Sequence, residues 1–120
     1  MAAPNIAATA TITGKTAGTK LTTSNVTTCL TNSAASGKVF KINSIIAANV
    51  DGVSAADISI SVWDGTTDFY IIRTVSVPAD ATQIVLTKDN YLYLEEGISI
   101  RAQASAANDI DVIIGYEEIS

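Results

Sequence analysis

The residues that carry most enzyme chemistry are sparse in this chain. It has 120 residues, no histidine and a single cysteine, Cys29. Without histidine the commonest general base and the commonest metal ligand are both missing. A Ser-His-Asp or Cys-His nucleophile is therefore impossible. Cys29 stands among threonines and before Leu30, with no Lys, Arg or His beside it to lower its pKa. It reads as a small, buried apolar residue. One thiol also makes no internal disulfide, so the fold has to hold by burial. At this length roughly two thirds of the unfolded surface can be buried, which suffices.

Carboxylates are the remaining chemical candidates, as pairs for acid–base work. Asp51 with Asp57, Asp64 with Asp68, and Glu95 with Glu96 all lie at expected turns. Asp favours turns because its side chain bonds the nearby backbone. The alternative is a calcium site built from loop oxygens, but neither acidic loop has EF-hand spacing. Glu117 and Glu118 read as a solvated strand end or as a negative tip for a basic partner. Aromatic residues offer one further possibility. Trp63 and Tyr70 flank the turn that holds Asp64 and Asp68, and these four form a candidate ligand or partner contact, including a small sugar platform. The competing reading packs Trp63 against Phe69 across the hairpin. No catalytic, cofactor-binding or metal residue is assigned.

These side chains need elements to position them, and the dominant pattern is a period of two. Ile58, Ile60 and Val62 alternate with Ser59, Ser61 and Trp63. Ile98, Ile100, Ala102 and Ala104 alternate with polar neighbours. Ile110, Val112, Ile114 and Tyr116 alternate with Asp111, Ile113, Gly115 and Glu117, and Val26, Thr28 and Leu30 with Thr27, Cys29 and Thr31. Ile6, Ala8, Ala10 and Ile12 extend the pattern to the start. Such alternation marks half-buried strands. Residues 39–46 and 69–77 are apolar at successive positions, as in strands covered on both faces. For these one side would meet the core and the other a neighbouring subunit. Tyr91 and Tyr93 face away from Leu92 and Leu94, another strand with two apolar faces. Residues 83–86 complete about eight or nine strands. Asp64-Gly65, residues 51–57 and Pro78-Ala79-Asp80 punctuate them. Residues 14–20, small and polar, read as a mobile loop. No stretch carries a helical period. The expectation is one all-β domain over 1–120, an antiparallel sandwich of jelly-roll or Greek-key type, with 1–5 a flexible arm.

Charge narrows the function classes. Seven Lys and Arg stand against 12 Asp and Glu, a net of -5. Without a basic cluster, binding to nucleic acid or to a membrane surface is not expected. Residues 1–5 lack the pattern of a signal peptide, and no apolar run approaches membrane-spanning length. This points to synthesis in the cytoplasm. Charged residues make up only 16% of the chain. A small monomer usually keeps more surface charge. The low charge fits a homo-oligomer whose second surface is covered by other copies.

Longer runs carry a resemblance. They are residues 37–52 (GKVFKINSIIAANVDG), 54–62 (SAADISISV), 77–82 (VPADAT), 93–100 (YLEEGISI) and 113–118 (IIGYEE). Together they resemble small virion structural proteins of tailed bacteriophages, of the marine or cyanophage type. The resemblance rests on strand and turn order from about residue 14 onward, not on a catalytic signature. It implies a non-enzymatic role on the virion, as a capsid cement or decoration protein without a cofactor. The implied partners are its own copies, with a trimer preferred, and the major capsid or another virion protein. A tail, baseplate or fibre-tip component is the nearest alternative, and a carbohydrate-binding module is the rival from another class. Residues 1–13 are expected to serve as an arm that adds a strand to a neighbouring sheet.

Overall fold

The computed structural model describes residues 4–8 and 11–120. Among these, nine strands build two antiparallel sheets. They are β1 (Ile12–Lys20), β2 (Thr27–Thr31), β3 (Val39–Asn49), β4 (Ala56–Trp63), β5 (Asp68–Val77), β6 (Thr82–Leu86), β7 (Leu92–Leu94), β8 (Ser99–Ala104) and β9 (Ile110–Ile119). One sheet runs β1-β9-β3-β6, with β7 pairing the other end of β3, and the second runs β2-β8-β4-β5. The fold is an antiparallel β-sandwich.

The alternating residues are what closes it. Ile58 and Ile60 of one sheet are buried against Ile42, Ile45 and Ile114 of the other, with Leu21, Leu94, Ile100 and Ile110 in the same core. Leu21 anchors the connection between β1 and β2. Its N–H donates to the Ile110 carbonyl and its own carbonyl accepts from the Asn108 N–H.

Three regions differ from expectation. Residues 14–20 are a strand rather than a mobile loop. β1 pairs β9 along its whole length, from Ile12 opposite Ile119 to Lys20 opposite Asp111. It lies at a sheet edge and adds almost nothing to the core, so it has no apolar face for a period-two pattern to reveal. The strand expected from Ile6 begins only at Ile12, and Ile6–Ala8 form a 3₁₀ turn. Thr9, Ala10 and residues 1–3 of the proposed arm lie outside the described residues. Thr11 exchanges two backbone hydrogen bonds with Ser120, so the last part of the 1–13 segment belongs to the chain's own sheet.

Bulges reset the phase of β3 and β5. Between Ile42 and Ser44 the β3–β9 register shifts by one residue. The extra residue lets Ile42 and Ile45 both point inward and turns Ile46 outward. In β5 the register shifts twice against β4, which breaks the pattern across residues 70–75. Residues 69–77 are consequently not covered on both faces. β5 is an edge strand, Phe69 is 58% exposed and Tyr70 44% exposed. Thr74 takes φ 52° at one bulge and donates its N–H to Ser59 Oγ. Bulges of this kind blunt an edge against unwanted pairing.

Candidate functional site

The β4–β5 hairpin positions the four candidate contact residues. Its turn is built by Asp64, whose Oδ1 accepts from the Thr66 and Thr67 N–H groups at 2.9 and 2.7 Å and from Thr66 Oγ1 at 3.0 Å. These bonds hold its carboxyl below the ordinary carboxylate range. Gly65 takes φ 103°, a conformation a side chain resists. The turn brings Trp63 directly opposite Asp68, and Tyr70 opposite Ser61. Phe69 sits opposite Val62, on the other face from Trp63, so the expected Trp63–Phe69 pair does not form.

Trp63 has a different neighbour. Arg101 of β8 lies opposite Ser61 and lays its guanidinium 4.2 Å over the indole. Its Nε approaches Asp68 Oδ1 at 3.5 Å, and Ser61 Oγ donates to the same oxygen at 2.8 Å. Arg73 covers the Tyr70 ring at 4.5 Å. The hairpin therefore carries two cation–π stacks, each worth about 0.5–2 kcal/mol. One face of the indole is already occupied by a cation. The structure brings Trp63, Asp68 and Tyr70 together and leaves Asp64 as a turn residue. Arg101 was missed by sequence reasoning, because nothing local links it to a tryptophan 38 residues earlier.

Four of the other six carboxylate candidates accept hydrogen bonds within the chain. Asp51 Oδ1 accepts from the Val53 N–H, and Glu96 Oε2 from the Gly37 N–H. Glu117 Oε1 accepts from Asn43 Nδ2. Glu118 accepts from Lys38 and stands 3.0 Å from Lys15, and the two ammonium groups hold its carboxyl below the usual range. Asp64 and Glu118 are thus fixed anions rather than proton donors. Asp57 lines a shallow 310 Å³ depression with Ser24, Ser59, Thr74, Gln103 and Ser105. Its hydroxyls and amide hold the local backbone: Ser59 Oγ accepts from Thr74, Ser105 Oγ from the Asp57 N–H, and Gln103 donates to the Ser24 carbonyl. Burial pushes the Cys29 thiol up to about 11, so it stays protonated. Among the described residues no three Cys, Asp or Glu side chains are placed to hold a metal ion, and no helix is long and apolar enough to cross a membrane.

The outer face of the five-stranded sheet carries a second surface. Ile84 is 61% exposed there, beside Ile113 and the half-buried Ile46. Tyr91 and Tyr93 meet edge to face at 5.6 Å, with Lys41 Nζ 4.4 Å over Tyr91. The sequence pattern anticipated the second apolar face of β3 and β7. It did not reveal Ile84, which joins that face only through non-local pairing of β6 with β3.

No family model matches this sequence, and no curated protein matches it. The fold does match solved structures. A chain in the acidic stable capsid structure of Helicobacter pylori bacteriophage KHP30 aligns with a TM-score of 0.53 and 12% identity, over 94% of this chain and 90% of that one. A chain from Bacillus endospore appendages, described as a novel family of disulfide-linked pili, aligns with a TM-score of 0.53 and 11% identity, over 92% and 88%. At such identities the likeness is one of fold.

Proposed function

We propose that this chain is a non-enzymatic structural protein of a virion, and within that a capsid cement or decoration protein that bridges capsid subunits. The observation that carries the reading is the combination of fold and bare surface. The strand order β1-β9-β3-β6 over β2-β8-β4-β5 reads as a jelly roll, an architecture common in viral capsids. Its five-stranded sheet leaves Ile84, Ile113, Tyr91 and Tyr93 exposed on one face. Exposed apolar patches rimmed by polar residues mark interaction sites. The likeness to a chain of a phage capsid over nearly the whole length supports the same reading.

The likeness to disulfide-linked pili is the nearest competitor. A covalent fibre needs each subunit to link to two neighbours, hence at least two reactive thiols. This sequence has one cysteine, and its thiol is half-buried and protonated. That favours the non-covalent shell.

In this reading residues 1–120 form one sandwich domain that associates with its own copies, with a trimer as the expected oligomer. Trp63, Asp68 and Tyr70, with Asp64 shaping the turn, form a contact for the capsid protein. Residues 1–5 act as an arm. Its removal is expected to lower capsid occupancy, and unchanged occupancy refutes that role. Immunogold labelling of purified particles with antibody to this chain tests the reading. Gold over the head supports it, gold confined to the tail moves the chain to the tail or baseplate, and unlabelled particles overturn it.

A further inference from the structure

The register of the five-stranded sheet arranges its outer side chains in rows that cross the strands. One row runs Ile84 (β6), Ile46 (β3), Ile113 (β9), Gly18 (β1). Another runs Tyr93 (β7), Lys41 (β3), Glu117 (β9), Gly14 (β1). In both rows a large side chain stands at the β6/β7 edge and a glycine at the β1 edge. The Gly18 end is a shallow, mostly apolar groove of 220 Å³, bounded by Gly18, Lys20, Asp111 and Ile113. In the second row the two central positions carry opposite charges.

We infer that two copies pack through this face about a two-fold axis that runs parallel to the strands, between β3 and β9. The inference rests on the self-association proposed above and adds to it a two-fold contact between copies, separate from the contact that closes the expected trimer. Such an axis exchanges the two edges of each row. Ile84 of one copy enters the groove over Gly18 of the other, and Tyr93 lies over Gly14. Ile46 meets Ile113, and Lys41 meets Glu117. Each bulky edge group finds a gap, and Lys41 and Glu117 each find the opposite charge, twice over, as an isologous contact requires. An axis across the strands that superposes the same two rows instead sets Ile84 against Tyr93, Gly18 against Gly14, and each of the two charges against an isoleucine. The complementarity is therefore specific to a second copy and to one axis.

The area is consistent with this. Four strands about 4.8 Å apart, over residues 41–48 at about 3.3 Å each, present roughly 500 Å² per copy. Two copies then bury about 1,000 Å², the lower bound for a specific interface. Sheets stacked this way lie about 10 Å apart with strands within about 30°. A contact of this size is reversible alone and effective when repeated across a shell.

The test is a paired-cysteine variant, Ile84→Cys with Gly18→Cys, exposed to mild oxidation with oxidised glutathione. Within one chain these positions are three strand spacings apart, about 14 Å, beyond disulfide reach. A Cβ at Gly18 meets nothing within 4 Å, so the variant keeps the fold. A covalent dimer of the pair, absent from either single variant and from the wild type with Cys29 alone, is the expected result. Lys41→Glu and Glu117→Lys are each expected to weaken dimerisation at least several-fold in sedimentation, and the combined reversal to restore it. If the wild type associates but the pair does not cross-link, the face is wrong while self-association stands. If the wild type is monomeric at every concentration, both this inference and the self-association fail.

Discussion

Asn49 ties the two sheets together at one end of the sandwich, and replacing it by alanine is a demanding test of the packing described above. The residue is buried at the end of β3. Its Nδ2 donates to the Val77 carbonyl at 2.9 Å and to the Ser54 carbonyl at 3.0 Å. Its Oδ1 accepts from the Asp51 N–H at 2.9 Å. One side chain thus satisfies the end of β5, the loop before β4 and the loop after β3. Asn49→Ala leaves all three backbone groups without that partner. The Val77 carbonyl is buried and pays a desolvation penalty of about 1–3 kcal/mol. The Ser54 and Asp51 groups are only part-buried, where water substitutes, and lose about 0.5 kcal/mol each. The expected total is about 3 kcal/mol. For a chain of this length that corresponds to a Tm drop of roughly 12 °C. Far-UV circular dichroism during heating, with a urea titration as a check on m, reads it directly. Asn25→Ala, at an exposed asparagine, serves as the control and is expected to stay within about 0.5 kcal/mol. A Tm within about 3 °C of wild type for Asn49→Ala refutes the reasoning.

Three further outcomes are expected. Glu118 has a folded pKa depressed by Lys38 and Lys15, so its contribution is present above its unfolded value of about 4.3 and is lost as pH falls through the folded value. Wild type is therefore more stable than Glu118→Gln near neutral pH, and the two converge in acid; parallel pH profiles contradict this. The Cys29 thiol, raised to about 11, is expected to react with a disulfide reagent at pH 8 more than about tenfold slower in the native chain than in denaturant. Equal rates show that it is accessible. Finally, a Cβ on Gly115 falls 2.8 Å from Ser44 Oγ across the β9–β3 pair. Ser44 Oγ is the only atom met and can rotate away, so Gly115→Ala is expected to cost no more than about 1 kcal/mol, and Ser44→Ala to remove that cost, both measured by urea denaturation.

What was legible in the sequence depended on where each strand lies. Ile58, Ile60 and Val62, and Ile110, Val112 and Ile114, face a core on one side and partner strands on both edges, so their alternation survives. β1 hides from the same reasoning because an edge strand over open solvent needs only backbone pairing, which Gly14, Thr16 and Gly18 supply without any apolar stripe. The doublet Ile71-Ile72 looks like a strand with two dry faces. It is the local trace of a bulge that resets the phase, and a bulge is defined by the partner strand rather than by its own residues. The hairpin contact was half visible. The turn chemistry of Asp64-Gly65 is local and could be read. The stacking of Arg101 on Trp63 depends on β8 lying beside β4, a pairing between strands far apart in the chain. The rows across the outer sheet are hidden for the same reason, since Ile84 and Gly18 share a row only after four strands have found their register.

If this chain is a structural part of a virion shell, purified particles carry it. The most direct measurement is its copy number in purified particles, by quantitative mass spectrometry against the major capsid protein. A number comparable to that of the capsid protein is the predicted result. A few copies per particle would contradict the cement role and place the chain at the tail or a vertex. Absence from the particle would contradict the account as a whole.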